Sequence, residues 1–248
     1  MVLRALGKTG LKVTPISFGA FKIGRNEKTK YEQSYPLPSE EETSRLLNGV
    51  LDLGINLIDT APAYGLSEQR IGRHISSRRR EFILSTKVGE TFEHGKSTYD
   101  FSARAIAQTF ERSLSRLKTA SVDFLLIHSD GREIAGETIS AIQNLKKQGK
   151  TRFIGVSAKS VESARETLKW ADALMLEYHP RDKSHEPMIE EAGKNGAAIF
   201  VKKPLASGQI AAKEAIPFIL KNPHVATLVI GGLNLEHIKQ NLQLASGG

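Results

Sequence analysis

The amino-acid sequence predicts an α/β protein with a (β/α)8 TIM barrel, in which eight parallel strands close into a cylinder inside a ring of helices. Three observations support this. Short runs rich in Ile, Val, Leu and Phe recur along the 248 residues, amphipathic segments separate them, and several runs are apolar nearly throughout, as buried parallel strands are. The eight runs are PISFGAF, INLIDTA, FILSTKV, VDFLLIH, TRFIGVS, ALMLEYH, AAIFVKK and ATLVIGG.

Amphipathic helices are predicted between the strands. The first, SEEETSRLLNGVLDLG, opens at Ser39 with an acidic first turn and closes at Gly54, and both are typical capping residues. Another, SARAIAQTFERSLSRLK, opens at Ser102 and repeats apolar residues with helical spacing. The remaining helices are predicted near residues 134–149, 161–170, 184–195, 208–221 and 235–245.

The number of strand and helix units in a chain of this length favours a closed barrel over an open sheet, and one domain over residues 1–248. The opening segment LRALGKTGLKVT places a Lys-Thr-Gly turn between two short extended pieces. It predicts an additional N-terminal β-hairpin that closes the bottom of the barrel.

The composition excludes several kinds of site. With 40% hydrophobic and 25% charged residues the chain can bury a large core, and the lack of cysteine excludes disulfides and thiolate chemistry. No H-E-x-x-H or similar spacing is present, so we expect no metal site. The first residues lack the continuous apolar stretch that a secretory signal needs, and the sequence contains no run of about 18 apolar residues. We therefore expect a cytoplasmic protein without membrane contact.

The formal net charge of +8 favours an anionic partner, either a nucleic acid or a phosphate-bearing small molecule. The densest basic run, Arg78 to Arg80, has no interleaved aromatic residues and matches no nucleic-acid motif. We interpret it as a solvated turn and expect no nucleic-acid partner. The sequence does not determine the oligomeric state, and a monomer is the working expectation.

Polar residues near the ends of the apolar runs are candidates for a functional site, because barrel enzymes place their active sites at the C-terminal ends of the strands. Asp59 follows the second run, Lys87 lies near the end of the third, and His128 ends the fourth. Tyr64 comes five residues after Asp59. Each residue alone has an ordinary structural explanation, such as a turn cap or a loop side chain, but the barrel brings all four to one rim.

Together these groups suit the protonation of a carbonyl oxygen. The ammonium of Lys87 favours the phenolate of Tyr64 and is expected to lower the pKa of the phenol, which makes Tyr64 the candidate general acid. Asp59 is expected to pair with Lys87 and to offset the cost of burying its charge. His128 can donate a hydrogen bond to the carbonyl oxygen. Side chains do not supply hydride, so a nicotinamide cofactor is implied.

These segments resemble the signatures of the aldo-keto reductase family. INLIDTAPAYGLSEQRIG is similar to the segment around the family's aspartate and tyrosine, LSTKVG to its lysine strand, and VDFLLIHSD to its histidine strand. QGKTRFIGVSA and GGLNLEHIKQNL resemble its fifth strand and its last strand-to-helix turn. The resemblance covers essentially the whole chain. It implies a catalytic tetrad of Asp59, Tyr64, Lys87 and His128, with Tyr64 as the proton donor.

The resemblance also implies NADPH as the cofactor, with NADH left open, bound across the strand ends without a Gly-rich dinucleotide loop. Ser157 stands where the family holds the nicotinamide amide, but Ala158 and Met175 replace the asparagine and glutamine that often share this task. Lys202 stands where many members stack a tyrosine on the nicotinamide. Lys202 and Lys203 are interpreted either as contacts to the pyrophosphate or as a solvated pair.

Further cofactor candidates follow the last strand. Gly231 and Gly232 leave backbone amides free at a helix N-terminus, which predicts a phosphate site, with Asn234 as the helix cap. The basic residues available to the adenosine end are fewer than NADPH-specific members of the family usually carry. The side chains available there are His237, Lys239 and Asn241.

Two segments are expected to line the substrate pocket. The loop after the first strand is long, and it either covers cofactor and substrate or forms a solvated lid. The loop after the fourth strand is short, so we expect an open pocket with broad, modest reactivity. The candidate side chains are Arg25, Lys28, Lys30, Tyr31 and Tyr35 in the first loop, and Phe92, His94 and Tyr99 after the third strand.

Three functions remain open. The preferred one is the NADP(H)-dependent reduction of small aldehydes or ketones to alcohols, with hydride from the nicotinamide and a proton from Tyr64. The second is a cofactor-binding regulatory or interaction module of the same fold with little turnover, which the altered carboxamide contacts favour. The third is a different barrel enzyme acting on phosphorylated substrates; the basic charge favours it, but it leaves the convergence of the four polar residues unexplained.

Overall fold

A closed parallel barrel forms the centre of the protein, as predicted. The computed structural model describes residues 2–29 and 34–247. In chain order its strands are β1 (Arg4–Ala5), β2 (Lys12–Val13), β3 (Ile16–Gly19), β4 (Leu57–Asp59), β5 (Ile83–Val88), β6 (Glu90–Glu93), β7 (Lys96–Tyr99), β8 (Val122–His128), β9 (Thr151–Ser157), β10 (Ala173–Glu177), β11 (Ala198–Lys202) and β12 (Val225–Ile230).

The barrel joins eight of these strands in the order β3, β4, β5, β8, β9, β10, β11 and β12, and β12 pairs back onto β3. All pairs in this ring are parallel, so the C-terminal ends of the strands meet at one rim. The pairs β1–β2 and β6–β7 are separate antiparallel hairpins. The second hairpin follows β5 directly and therefore stands at that rim.

Helices surround the barrel at the predicted places. Ser39 and Glu42 form a reciprocal capping box at the start of the first helix, and the side chain of Ser102 caps the third. Of the helices that the structure describes, none has the length and apolarity that crossing a bilayer requires. The helices are α1 (Glu40–Asp52), α2 (Ser67–His74), α3 (Ala103–Leu117), α4 (Gly136–Lys147), α5 (Val161–Arg165), α6 (Glu186–Lys194), α7 (Ala212–Leu220) and α8 (Leu235–Ala245).

Several boundaries differ from the sequence-based expectation. The first barrel strand ends at Gly19, because residues Ala20–Ile23 turn into a 3-10 helix. The helix expected near 161–170 is a short α-helix that continues as a 3-10 turn, Glu166–Lys169. Helix α2 and the hairpin β6–β7 are elements that the sequence patterns did not predict.

The N-terminal hairpin closes the bottom of the barrel, as predicted. Leu6 and Val13 are fully buried and belong to the apolar cluster inside the barrel, which also contains Phe124 and Met175. The backbone N–H of Lys8 donates a hydrogen bond to the carbonyl oxygen of a residue just before β11, at 2.8 Å. The opposite, C-terminal end of the barrel is therefore the end available for a site.

The basic run Arg78 to Arg80 lies in a 3-10 helix, Ser76–Glu81, rather than in a fully solvated turn. Arg78 pairs with Asp52 and Glu81, and Arg79 pairs with Asp123. These ion pairs neutralise much of the charge of the run, which gives it a structural role.

Candidate active site

Three neighbouring strands carry the predicted charged residues at one rim. Asp59 is the last residue of β4, Lys87 is the last but one of β5, and His128 is the last of β8. Strand β5 pairs with both β4 and β8, so the three side chains leave the sheet side by side. Tyr64 ends a 3-10 helix, Pro62–Tyr64, that follows β4 closely. The structure thus brings together the four residues that the sequence predicts.

Lys87 and Asp59 form the predicted buried ion pair. Nζ of Lys87 lies 2.6 Å from Oδ2 of Asp59 and also donates to a backbone carbonyl oxygen at 2.9 Å. The residues are only 1% and 2% exposed. Burial on its own would lower the pKa of Lys87, but Asp59 and Tyr64 outweigh it and the pKa is raised. Lys87 therefore stays positively charged over the whole neutral range.

The ring of Tyr64 lies in front of this cation. Nζ of Lys87 is 4.8 Å from the ring centroid, and the ring packs edge-on to His128 with centroids 6.1 Å apart. Burial raises the pKa of Tyr64 by more than Lys87 lowers it, since Asp59 neutralises much of the effect of the ammonium. The expected lowering of this pKa is therefore wrong. The phenol keeps its proton at neutral pH, which is the form that a proton donor needs.

Two glycines fix the turn that presents Tyr64. Gly65 has a φ of +59°, and a Cβ there would lie 2.3 Å from the carbonyl oxygen of Gly24. A Cβ on Gly24 would lie 2.1 Å from the carbonyl oxygen of Tyr64. Between them, the backbone N–H of Leu66 donates to the Gly24 carbonyl oxygen at 3.0 Å. Only glycine permits this close approach of two backbones, so the loop after β3 positions the tyrosine turn.

Comparison with known proteins decides the family. Residues 15–217 match the sequence model of the Aldo/keto reductase family. The chain belongs to this family. A Pseudomonas aeruginosa protein assigned to the aldo-keto reductases has a solved structure with a TM-score of 0.91 and 37% identity, over 99% of this chain and 95% of that one. The holo form of an aldo-keto reductase of Bacillus halodurans has a TM-score of 0.85 and 28% identity, over 98% of this chain and 90% of that chain.

A curated relative is longer than this chain. L-galactose dehydrogenase of Arabidopsis thaliana is 32% identical over 83% of this chain and 66% of its own length. The chain therefore spans slightly less than two thirds of that relative. Aldo/keto reductases as a family are oxidoreductases that use nicotinamide cofactors and act on small carbonyl compounds.

The cofactor candidates of this aldo/keto reductase begin at the ends of β9 and β11. Nζ of Lys202 donates to the carbonyl oxygen of Ala158 at 2.6 Å and to Oγ of Ser157 at 3.1 Å, reaching across the intervening strand β10. Both acceptors are neutral. Burial, followed by the charge of Lys203, lowers the pKa of Lys202 to about 7. An ammonium held only by neutral acceptors fits a carbonyl or phosphate oxygen of a nicotinamide cofactor.

The two residues that depart from the aldo/keto reductase pattern are buried. Met175 is 1% exposed and packs in the apolar cluster inside the barrel, and Ala158 is fully buried. Neither side chain can donate a hydrogen bond at the rim. Lys202 supplies the polar group there, and it comes from the strand next to the one that carries Met175.

Lys203 forms an ion pair with Glu177 at the end of β10. Because Lys202 is bonded to the backbone and to Ser157, neither lysine is a freely solvated side chain, and the interpretation of a solvated pair is wrong. A contact of Lys202 or Lys203 with a pyrophosphate stays a prediction.

The residues proposed for the adenosine end lie at the start of α8. Oδ1 of Asn234 accepts hydrogen bonds from two backbone N–H groups of the first turn, at 2.8 and 3.4 Å, which confirms the helix cap. Gly231 and Gly232 lie between β12 and this cap. His237 and Asn241 lie four residues apart along α8, on one face of the helix. Strand β12 is three strands away from β9, so these residues are well separated from Ser157.

The loop after β3 is attached to the site by Arg25. Its guanidinium carbon lies 3.3 Å from the ring centroid of Phe92, and Nη1 donates to the carbonyl oxygen of Ala63 at 3.1 Å. The hydroxyl of Tyr35 donates to the carbonyl oxygen of Arg25 at 2.6 Å. Arg25 and Phe92 thus join the loop, the tyrosine turn and the second hairpin. Of the other residues, Lys28 and His94 are exposed, Tyr99 packs against Phe101, and Lys30 and Tyr31 lie outside the described residues.

Glu90 is a candidate that the sequence did not reveal. Its Oε2 lies 2.7 Å from Nδ1 of His128, and the residue is 7% exposed. In the sequence, an acidic residue after Gly89 looks like any residue of a surface turn, so the pattern gave no usable signal. Among the residues that the structure describes, no group of three His, Asp or Glu side chains is arranged to hold a metal ion.

Proposed function

We propose that this aldo/keto reductase reduces small aldehydes or ketones to alcohols with NADPH, and that Tyr64 supplies the proton. The observation that carries the proposal is the Lys87–Asp59 pair facing the Tyr64 ring at the barrel rim. When bound, NADPH supplies the hydride. The carbonyl oxygen gains a proton as its carbon gains hydride, so the site needs an acid in place at that moment.

Each member of the tetrad has its own task in this proposal. Tyr64 carries the proton at its hydroxyl, which burial keeps protonated at neutral pH. Lys87 stabilises the phenolate that remains when the proton leaves. Asp59 holds Lys87 in place and balances its charge while Tyr64 is still protonated. His128 lies beside Tyr64 and orients the substrate oxygen by a hydrogen bond.

We assign the nicotinamide end of the cofactor to Ser157 and Lys202, because their polar groups lie at the same rim as the tetrad. The net charge of +8 supports a cofactor that carries several phosphates. Binding of NADPH is proposed over NADH on family grounds. The phosphates and the adenosine end are assigned to Lys203, Gly231, Gly232, His237, Lys239 and Asn241.

The test is oxidation of NADPH and of NADH by the purified protein against a panel of reactive aldehydes and diketones. Turnover of several carbonyls is expected, and it should vanish in Tyr64→Phe while NADPH binding persists. Tyr178→Phe is the matched control, because it removes a tyrosine hydroxyl that donates to Glu186 of α6, on a ring that packs against Phe218 of α7. Full turnover by Tyr64→Phe would show that another group donates the proton.

A second candidate function is a cofactor-binding regulatory module with little turnover. It is favoured by Met175 and Ala158, which leave the nicotinamide without the two amides that the family often supplies. Tight NADPH binding with no oxidation against the whole panel would support this candidate. Turnover that depends on Tyr64 would exclude it.

A further inference from the structure

A carboxylate lies directly against the histidine of the site. His128 ends β8, Glu90 begins β6, and the contact of 2.7 Å joins Oε2 of Glu90 to Nδ1 of His128. This separation is short enough for a charge-assisted hydrogen bond, but Nδ1 has no hydrogen-bond partner of acceptable geometry, so the ring must turn for Nδ1–H to point at the oxygen. The other ring nitrogen, Nε2, takes part in no ion pair among the described residues.

Glu90 is held in place and is ionised. It opens the hairpin β6–β7, where it pairs with Tyr99, and the backbone N–H of Asp100 donates to the carbonyl oxygen of Gly89 at 3.0 Å. Burial on its own would raise the pKa of Glu90, but the contact with His128, assisted by Ser97 and Tyr99, lowers the pKa to about 2. The carboxylate is therefore ionised at neutral pH.

The ionised carboxylate determines which ring nitrogen carries hydrogen. A carboxylate can only accept a hydrogen bond, and a lone pair on Nδ1 at 2.7 Å would repel it. The contact therefore favours a hydrogen on Nδ1 of His128. In the neutral ring this leaves Nε2 with a lone pair, so Nε2 becomes a donor only when the ring is protonated on both nitrogens.

We propose that Glu90 is a positioning residue that fixes the hydrogen of His128 on Nδ1, so that His128 donates a hydrogen bond to a substrate oxygen only as the doubly protonated imidazolium. This inference rests on the proposed reduction of carbonyl compounds. It alters the role first assigned to His128, because a neutral ring held in this way accepts hydrogen bonds at Nε2 and does not donate them. Carbonyl reduction should therefore fall as the pH rises through the pKa of His128.

Several charged groups act on this pair. Burial lowers the pKa of His128, Glu90 raises it, and Lys87 and Lys202 lower it again, with a net lowering. Arg25 and Tyr99 approach Glu90 from the loop after β3 and from the hairpin. Glu90 is the only one of these groups that favours the imidazolium by direct contact. Its removal should therefore shift His128 further toward the neutral ring.

The experiment compares Glu90→Gln with the wild-type protein. Glu93→Gln is the matched control, because Glu93 ends the same hairpin strand and is exposed. Nitrogen-15 NMR of the ring reports the tautomer and pKa of His128 without any turnover, and a His128→Gln sample assigns its signals among the 7 histidines. We expect the Nδ1–H form in the wild type and in Glu93→Gln. Glu90→Gln should lose this preference, with a pKa lower by ~1 unit or more.

A kinetic measurement follows on the same proteins. The pH above which kcat/KM for reduction declines should move downward in Glu90→Gln by the same shift as the NMR pKa. Glu90→Asp keeps the charge but moves it away from the ring, so it should give His128 a pKa between those of the wild type and Glu90→Gln. If Glu90→Gln does not fold, Glu90→Asp replaces it in both measurements. An unchanged tautomer and pKa in the variants would overturn the proposal. Absence of turnover in the wild type would instead refute the proposed function, while the NMR result would still decide the role of Glu90.

Discussion

Replacing Lys202 by methionine tests whether burial at the rim lowers the pKa of Lys202 in the folded protein. Burial, followed by the charge of Lys203, lowers the pKa of Lys202 to about 7, whereas a lysine in the unfolded chain has a pKa of about 10.4. Between these two values the unfolded chain binds a proton that the folded chain does not. The stability of the wild type should therefore rise with pH across this window, while the variant has no such contribution.

The size of the effect follows from the same numbers. A separation of about three pKa units corresponds to about 4 kcal/mol as an upper limit, and water at the rim reduces this to about 1–2 kcal/mol. Methionine also loses the hydrogen bonds to Ser157 and Ala158, at about 1 kcal/mol each. Below about pH 7 the wild type bears the cost of a buried charge that the variant lacks, and this cost largely offsets the hydrogen bonds that the variant has lost. The unfolding free energies of the two proteins should therefore be similar below about pH 7. Near pH 10 the variant should be less stable by about 2 kcal/mol.

The assay is urea unfolding of both proteins over a series of pH values, followed by the fluorescence of Trp170, the single tryptophan. Subtraction of the two unfolding free energies cancels the other titrating groups. Lys213→Met is the control, because Lys213 is exposed on α7 and its difference from the wild type should not vary with pH. A difference for Lys202→Met that stays constant from about pH 6 to pH 10 would refute the reasoning and show that Lys202 remains charged throughout.

Three further variants test the rest of the structure. Asp59→Asn leaves the charge of Lys87 buried without a partner, so the free energy of unfolding should fall by about 3–5 kcal/mol and turnover should fall as well. An unchanged free energy of unfolding would contradict the buried ion pair. Gly65→Ala should impair turnover through its clash with the loop after β3, whereas Gly10→Ala, also at positive φ but with nothing within 4 Å, should not. Leu6→Ala should cost about 2–5 kcal/mol in urea unfolding while the remaining folded protein turns over normally, because Leu6 lies at the end of the barrel opposite the site.

Much of the barrel could be predicted because buried parallel strands are apolar on both faces. The runs VDFLLIH and TRFIGVS match β8 and β9 residue for residue. The tetrad could be predicted for a related reason, since Asp59 and His128 interrupt or end apolar runs where a buried charge needs an explanation. Because the C-terminal ends of parallel barrel strands meet at one rim, the predicted barrel also predicted that these residues lie close together.

The remainder depends on contacts between residues far apart in the chain. The hairpin β6–β7 has a polar sequence and is held by contacts such as that of Arg25 with Phe92. Glu90 and His128 lie on different elements, and no regular spacing in the sequence indicates that they are in contact. The sign of the Tyr64 pKa shift was wrong because the sequence shows the neighbouring lysine but not the depth of burial, which has the larger effect.

The most direct test of the account is a single turnover with NADPH bound in advance. Wild type and Tyr64→Phe are each loaded with NADPH, mixed with a reactive aldehyde, and the decay of NADPH absorbance is followed. We expect the variant to bind NADPH as the wild type does and to oxidise it ~100- to 10,000-fold more slowly, because the proton donor is missing. Equal rates in the two proteins would contradict the assignment of Tyr64 as the acid.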